Sequence, residues 1–219
     1  MSKSVYSLVL SDDVVRAADR EAYARGTSRS NLINQILAEY LSYITPEKRM
    51  KDIFSSLCAM LEQEPFQVQT QGSDSILSIR SPLRVKYNPT IRYTVELSAD
   101  GAGELRITAR TQSQALLGLL NGFFRLFCQV EEPYLHKLCP GLEPQYRIQD
   151  GRLLRRFCLL DPQAGSHQIG EAMARYIQMI DQALKAYAAA PPPQQEEAVQ
   201  RVYLAYLRQI TQGGDPIIL

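Results

Sequence analysis

Four side chains in one short stretch have the chemistry of a metal site. Cys128, Glu132, His136 and Cys139 follow one another at steps of four, four and three, a spacing that returns each to nearly the same face of a helix. Thiolate, carboxylate and imidazole are the donors zinc takes. Against this, Pro133 falls inside the stretch and is expected to interrupt the helix. The only other histidine is His167, and a free cysteine commonly serves as a small buried hydrophobe. The reading is therefore no metal and no cofactor. Arg152, Arg155 and Arg156 form a second cluster, which could bind an anion but is expected to be a solvated or ion-paired face. No G-x-S-x-G elbow, Walker loop or dinucleotide fingerprint is present. Gly118 and Gly122, within an apolar helical stretch, read as close-packing positions, so no catalytic activity is expected.

The third cluster is Ser28-Arg29-Ser30, and the elements around it give it meaning. Residues 5–10, VYSLVL, alternate so that Tyr6, Leu8 and Leu10 share one face of a strand while Val5, Ser7 and Val9 share the other. Ser11 followed by Asp12 and Asp13 reads as the cap and acidic first turn of a helix, with Val14, Val15, Ala18 and Ala22 on its apolar face. Gly26 is placed to end that helix in the left-handed conformation. Ser28 then caps a second helix carrying Leu32, Ile33, Ile36, Leu37, Tyr40, Leu41 and Ile44. A unit of this size with a lone strand can satisfy neither that strand's backbone groups nor its apolar faces by itself. It requires a partner strand.

The alternating strand, Ser11-Asp12-Asp13, Asp19, Ala22, Gly26, Ser28-Arg29-Ser30, Ile33, Leu37 and Tyr40 together resemble the ribbon-helix-helix family of transcriptional repressors, the Arc, MetJ and CopG type. The resemblance covers about a fifth of the chain and rests on the order and spacing of these residues, above all the G-x-S-R-S turn with Ile33 three residues on. It implies a dimer whose two strands pair into a ribbon that enters the DNA major groove. By position, Lys3, Val5, Ser7 and Val9 would face the bases, and Ser28, Arg29 and Ser30 would hold phosphate. Tyr6, Leu8, Leu10, Ile33 and Leu37 would form the dimer core. Phosphate at a helix N-terminus beside an arginine has its own warrant in the unpaired N–H groups and charge-assisted bonding available there. Two of the base-facing residues are Val, which can touch only a thymine methyl, so a degenerate, AT-leaning readout is expected. Nickel-responsive members exist in the family, but two histidines are too few to expect nickel here.

Beyond residue 44 the pattern changes. Thr45-Pro46 starts a helix expected to run to about Gln63, with Pro65 as its stop. From Phe66 to Thr111, period-two alternation divided by Gln71-Gly72-Ser73-Asp74, Asn88-Pro89 and Asp100-Gly101-Ala102-Gly103 reads as an antiparallel meander of about four strands. A strongly apolar helix over 112–129 follows, then a hairpin over 147–160 around Asp150-Gly151. A helix over 166–190, the break Pro191-Pro192-Pro193 and a last helix over 194–210 complete the chain. Tyr203, Tyr206 and Leu207 on that last helix would serve a subunit contact or pack within the chain. The order of elements in 46–190 is somewhat similar, in topology only, to small secretion-chaperone-like α+β folds.

Composition bounds the reading. Of 219 residues, 45% are hydrophobic and 21% charged, with 24 basic against 23 acidic side chains and a net charge of +1, so any anion site must be local. No apolar run approaches the roughly 20 residues needed to cross a bilayer, and the N-terminus lacks the pattern of a secretory signal. Four dispersed cysteines read as reduced thiols in a cytoplasmic protein. The fold class expected is α+β: a dimeric ribbon-helix-helix over 1–44, then an antiparallel sheet flanked by helices over 45–219. The function expected is a DNA-binding transcriptional regulator, a repressor, that is not an enzyme. Its partners would be double-stranded DNA and its own copies, as a homodimer or higher even oligomer, with no membrane. A ligand or protein partner for the larger domain is left open. The alternative is an assembly module in which the front end only dimerises.

Overall fold

In the computed structural model, which describes residues 7–41, 43–62, 66–70, 75–98, 103–138, 141, 145–161 and 163–212, the chain divides into two units, Met1–Thr45 and Pro46–Leu219. The first holds α1 (Asp12–Ala24) and α2 (Arg29–Tyr40). Ser11 takes the extended N-cap conformation (φ −67°, ψ 149°) without a side-chain cap bond, and Asp12 and Asp13 supply favourable charge in the first turn. Gly26 at φ 61° turns the chain out of α1. Its N–H bonds to Tyr23 O (3.1 Å) and that of Thr27 to Ala22 O (2.9 Å), the pair of bonds that defines a Schellman stop. Ser28 Oγ then accepts from the Asn31 N–H at 3.2 Å, capping α2.

The strand expected over Val5–Leu10 is not formed over its described part. Ser7, Leu8, Val9 and Leu10 pair with no strand and are exposed, so the first described element is α1. Lys3, Val5 and Tyr6 lie outside the described residues. The physical reason is the one the alternation raises: such a strand takes its hydrogen bonds from another strand, and this unit offers none.

In the second unit, α3 (Pro46–Leu61) leads into the meander β1 (Gln67–Thr70), β2 (Ile76–Pro82), β3 (Thr90–Leu97) and β4 (Gly103–Ala109). Then come α4 (Gln114–Leu138), β5 (Tyr146–Gln149), β6 (Arg152–Arg156), α5 (Ser166–Ala189), a 3-10 turn over Pro192–Gln194, and α6 (Gln195–Gln212). All pairings are antiparallel, in the order β1-β2-β3-β4-β6-β5. The protein is thus α+β, with six α-helices and one six-stranded sheet among the described residues. The hairpin closes on Asp150 (φ 48°) and Gly151 (φ 72°), two successive left-handed residues matched to strand twist. The Gly151 N–H reaches Asn121 Oδ1 at 2.9 Å, tying the hairpin to α4.

Period two separates the sheet's faces. Leu77, Ile79, Ile91, Tyr93, Val95, Leu105, Ile107 and Leu153 point into the core, where Leu57, Phe123, Phe127, Met173 and Ile177 of the helices meet them. Each large side chain so buried contributes about 1.5–3 kcal/mol. Tyr93 also donates to Asp181 Oδ1 (2.9 Å), whose other oxygen accepts from Lys185 Nζ (2.5 Å), and Lys185 bonds to Ser81 Oγ (2.9 Å). The helix α5 is thereby fixed to β2 and β3.

Two expectations for this unit are corrected, and one that was left open is decided. The helix expected to end near residue 129 runs on through Pro133 to Leu138. Pro133 and Gln129, whose carbonyl it leaves without an N–H, are both exposed, so the lost bond falls on the outer side of the helix, where it costs least, while buried Leu135 anchors the continuation. Gly118 is not a close-packing position, because a Cβ there would meet nothing within 4 Å; at Gly122 one would lie 2.6 Å from the Tyr187 hydroxyl. Of the two roles open to them, Tyr203 and Tyr206 take the packing one: both are buried within the chain, their ring centroids 6.1 Å apart and their planes tilted by 48°.

Candidate nucleic-acid interface

The cluster Ser28-Arg29-Ser30 sits at the start of α2, where the first turn holds no acidic residue and the helix dipole is positive. Ser28 uses its hydroxyl on the helix itself. Ser30 is exposed. Arg29 is gripped from α1: its Nε and Nη2 meet the two carboxylate oxygens of Asp19, each at 2.5 Å. That fork-to-fork geometry fixes the guanidinium beside the helix N-terminus and, by hydrogen bond and charge, raises the Arg29 pKa. Of the expected dimer core, Leu8, Leu10 and Leu37 are exposed and Ile33 half-buried; of the expected base-facing residues, Ser7 and Val9 are exposed. Ala22, Leu32 and Ala38 are the apolar side chains this unit buries.

The metal candidate does not assemble. Cys128, Glu132 and His136 do share α4, and His136 lies 3.8 Å from Glu132, but Cys139 lies outside the described residues. No group of three metal-type donors occurs among the described residues. Cys128 is instead part of a buried polar cluster that the sequence does not announce. Glu131, fully buried, accepts from Tyr176 Oη (2.9 Å), Arg155 Nε (3.3 Å) and the Tyr146 hydroxyl. Arg155, 1% exposed, also donates to the Arg156 carbonyl and lies over the rings of Tyr146 and Tyr176 at 5.3 and 5.5 Å. Burial disfavours its charge, and Glu131 with the two tyrosines outweighs that penalty. Burial first, then Glu131, pushes the Cys128 thiol up to about 12 and the Tyr146 and Tyr176 hydroxyls well above their ordinary range. A thiol held neutral in this way is a poor nucleophile, and the cluster reads as the structural link between α4, β6 and α5.

Arg152, Arg155 and Arg156 therefore part company. Arg155 turns into the core, while Arg152 and Arg156 point to the opposite, exposed side of the sheet. There the register gathers arginines far apart in sequence. Gln67, Arg80, Arg92 and Thr108 stand in one row across β1 to β4, and the next step of the β4–β6 ladder sets Arg152 beside Thr108. One row over, Arg106 stands opposite Thr94, and Arg110 follows the end of β4. These five arginines and the threonines between them line one shallow depression. Arg106 lies 3.3 Å from Glu104. Among the described residues, Arg80, Arg92, Arg110 and Arg152 have no carboxylate within ion-pair distance.

No described helix is long and apolar enough to cross a membrane. No protein-family model matches the chain, and no curated protein or solved structure matches it either.

Proposed function

We propose that the protein is a dimeric DNA-binding transcriptional regulator that acts through a ribbon formed by the N-terminal residues of two chains. The observation that carries this reading is the apolar surface of Met1–Thr45. Leu8, Val9, Leu10, Val14, Ile36, Leu37 and Leu41 all stand in solvent on a unit that buries only small parts of α1 and α2 against each other. So many exposed apolar side chains on so small a unit mark an interface, and a second copy supplies both the cover and the strand partner that Ser7–Leu10 lack. Pairing two strands would leave Ser7 and Val9 facing outward into a groove wide enough for a two-stranded ribbon, with Arg29 and the α2 N-terminus as the phosphate contact.

One observation favours the assembly-module alternative: both donors that Arg29 aims at Asp19 are already used. A salt-dependent gel-shift series with the full chain and DNA from upstream of its own gene tests the two readings together with sedimentation. Leu8→Lys is expected to give monomers and to abolish any preference for that DNA over a random-sequence duplex. Arg29→Ala is expected to leave the dimer intact and lower the slope of log K against log salt by about two per dimer, each phosphate contact contributing about 0.9. A Leu8→Lys protein that stays dimeric overturns the ribbon. A dimer whose affinity and slope ignore Arg29→Ala leaves the assembly reading.

A further inference from the structure

We infer that the exposed sheet face of the second unit is a phosphate-backbone surface for double-stranded nucleic acid, separate from the N-terminal unit and standing on the sheet alone. The first ground is a charge left uncompensated. Arg80 and Arg92 are direct cross-strand partners, a like-charge placement that opposes sheet formation, and neither meets a carboxylate among the described residues. With Arg152 in the same row and Arg110 beyond β4, four positive side chains collect at one end of the face. The other end carries Glu96 opposite Glu104, with Arg156 beside the latter. The face is thus polarised, and only one end of it calls for an anion.

The second ground is the kind of side chain. Every cation on these strands is arginine, whose planar fork matches phosphate oxygens in pairs, and Thr90, Thr94 and Thr108 add hydroxyl donors among them. The third is what the depression lacks. No aromatic side chain lines it, so it offers no platform for stacking the bases of a single strand. Nor does it hold the large apolar anchor on which a docked protein segment gains most of its energy. What remains is an array of fixed positive charge. From Arg80 to Arg152 it crosses three strand spacings, about 14 Å at ~4.8 Å each, and that length of duplex carries about eight phosphates at one per ~1.7 Å. The array contacts backbone and reads no sequence.

The test uses the full chain and a random-sequence duplex, with affinity measured over a series of salt concentrations. Arg80→Thr with Arg92→Thr is expected to reduce the log–log salt slope by about two per chain while thermal unfolding stays at or above that of the parent. If that protein unfolds early, Arg80→Gln with Arg92→Gln serves in its place. An unchanged slope overturns the inference. So does displacement of the duplex by polyglutamate at equal charge concentration, which would mark the face as a dock for acidic protein. Arg29→Ala, measured alongside, separates the two proposals. A slope that responds only to Arg29 leaves the N-terminal reading standing and the sheet face refuted, and one that responds only to Arg80 and Arg92 does the reverse.

Discussion

Met1–Thr45 and Pro46–Leu219 meet the problem of apolar surface in opposite ways. Of the large apolar side chains left exposed among the described residues, Tyr87 alone belongs to the longer unit, while Leu8 through Ile44 supply the rest. The longer unit has enough residues to lay four helices on one face of a sheet, and so buries even an arginine and a glutamate. Among its described residues the shorter one has two helices and no sheet to lay them on. The difference is one of scale before it is one of function: a shorter unit buries a smaller fraction of its surface, and the remainder appears as exposed Leu, Val, Ile and Tyr.

The contrast breaks most visibly at Glu131. Truncation to Glu131→Ala strands Arg155 as a buried, unpaired charge, and chemical denaturation should register a loss of about 3–5 kcal/mol. Glu131→Leu combined with Arg155→Met should recover most of it, since an apolar pair needs no compensation. If the single and double variants unfold alike, the cluster is not the internal fastening described.

Alkaline pH sharpens the same point. Tyr93, Tyr146, Tyr176, Tyr203 and Tyr206 are held well above their ordinary value of 10, chiefly by burial, and Cys128 at about 12 is above its ordinary 9.0. The folded state keeps protons that the unfolded chain gives up, so their contribution to stability is intact below pH 9 and falls as pH rises. The decline starts with Cys128 and steepens above pH 10, at about 1.4 kcal/mol per pH unit for each group so held. Unfolding midpoints that stay flat from pH 9 to 11 would contradict the burial of these hydroxyls.

The smallest effect concerns the shorter unit. Amide exchange over 12–41 should slow as protein concentration rises, gaining up to about 1.4 kcal/mol of protection per tenfold, while exchange within α5 and β3 should not respond. Concentration-independent exchange in both units would mean that Met1–Thr45 needs no second copy.

Much of the longer fold can be read in the sequence because its punctuation is local. Asp150-Gly151 demands a tight hairpin, Asn88-Pro89 marks the turn just ahead of β3, and the alternation of Ile91, Tyr93 and Val95 assigns their face. Pro133 misleads because a helix tolerates a missing N–H wherever the orphaned carbonyl meets water, and sequence does not disclose exposure. Arg155 occupies the core parity between Leu153 and Phe157, but a charged residue can be placed there only once Glu131 is known to face it from α4. The arginine face is harder still: Arg80, Arg92, Arg106 and Arg152 are brought together by register across four strands, and no window along the chain contains them. The strand expected over 5–10 is not formed at Ser7–Leu10 for a different reason: alternation shows which faces a strand would present, not whether a second strand is there to pair with it.

The absence of lysine from those strands has a chemical consequence. A guanidinium stays protonated at any pH at which the protein is folded, and acetyl transfer, which silences lysine charges, does not touch it. The positive end of the sheet face therefore carries a charge that lysine acylation cannot dial down. Ionic strength is left as the variable that sets its reach, through a screening length of about 10 Å at 0.1 M salt.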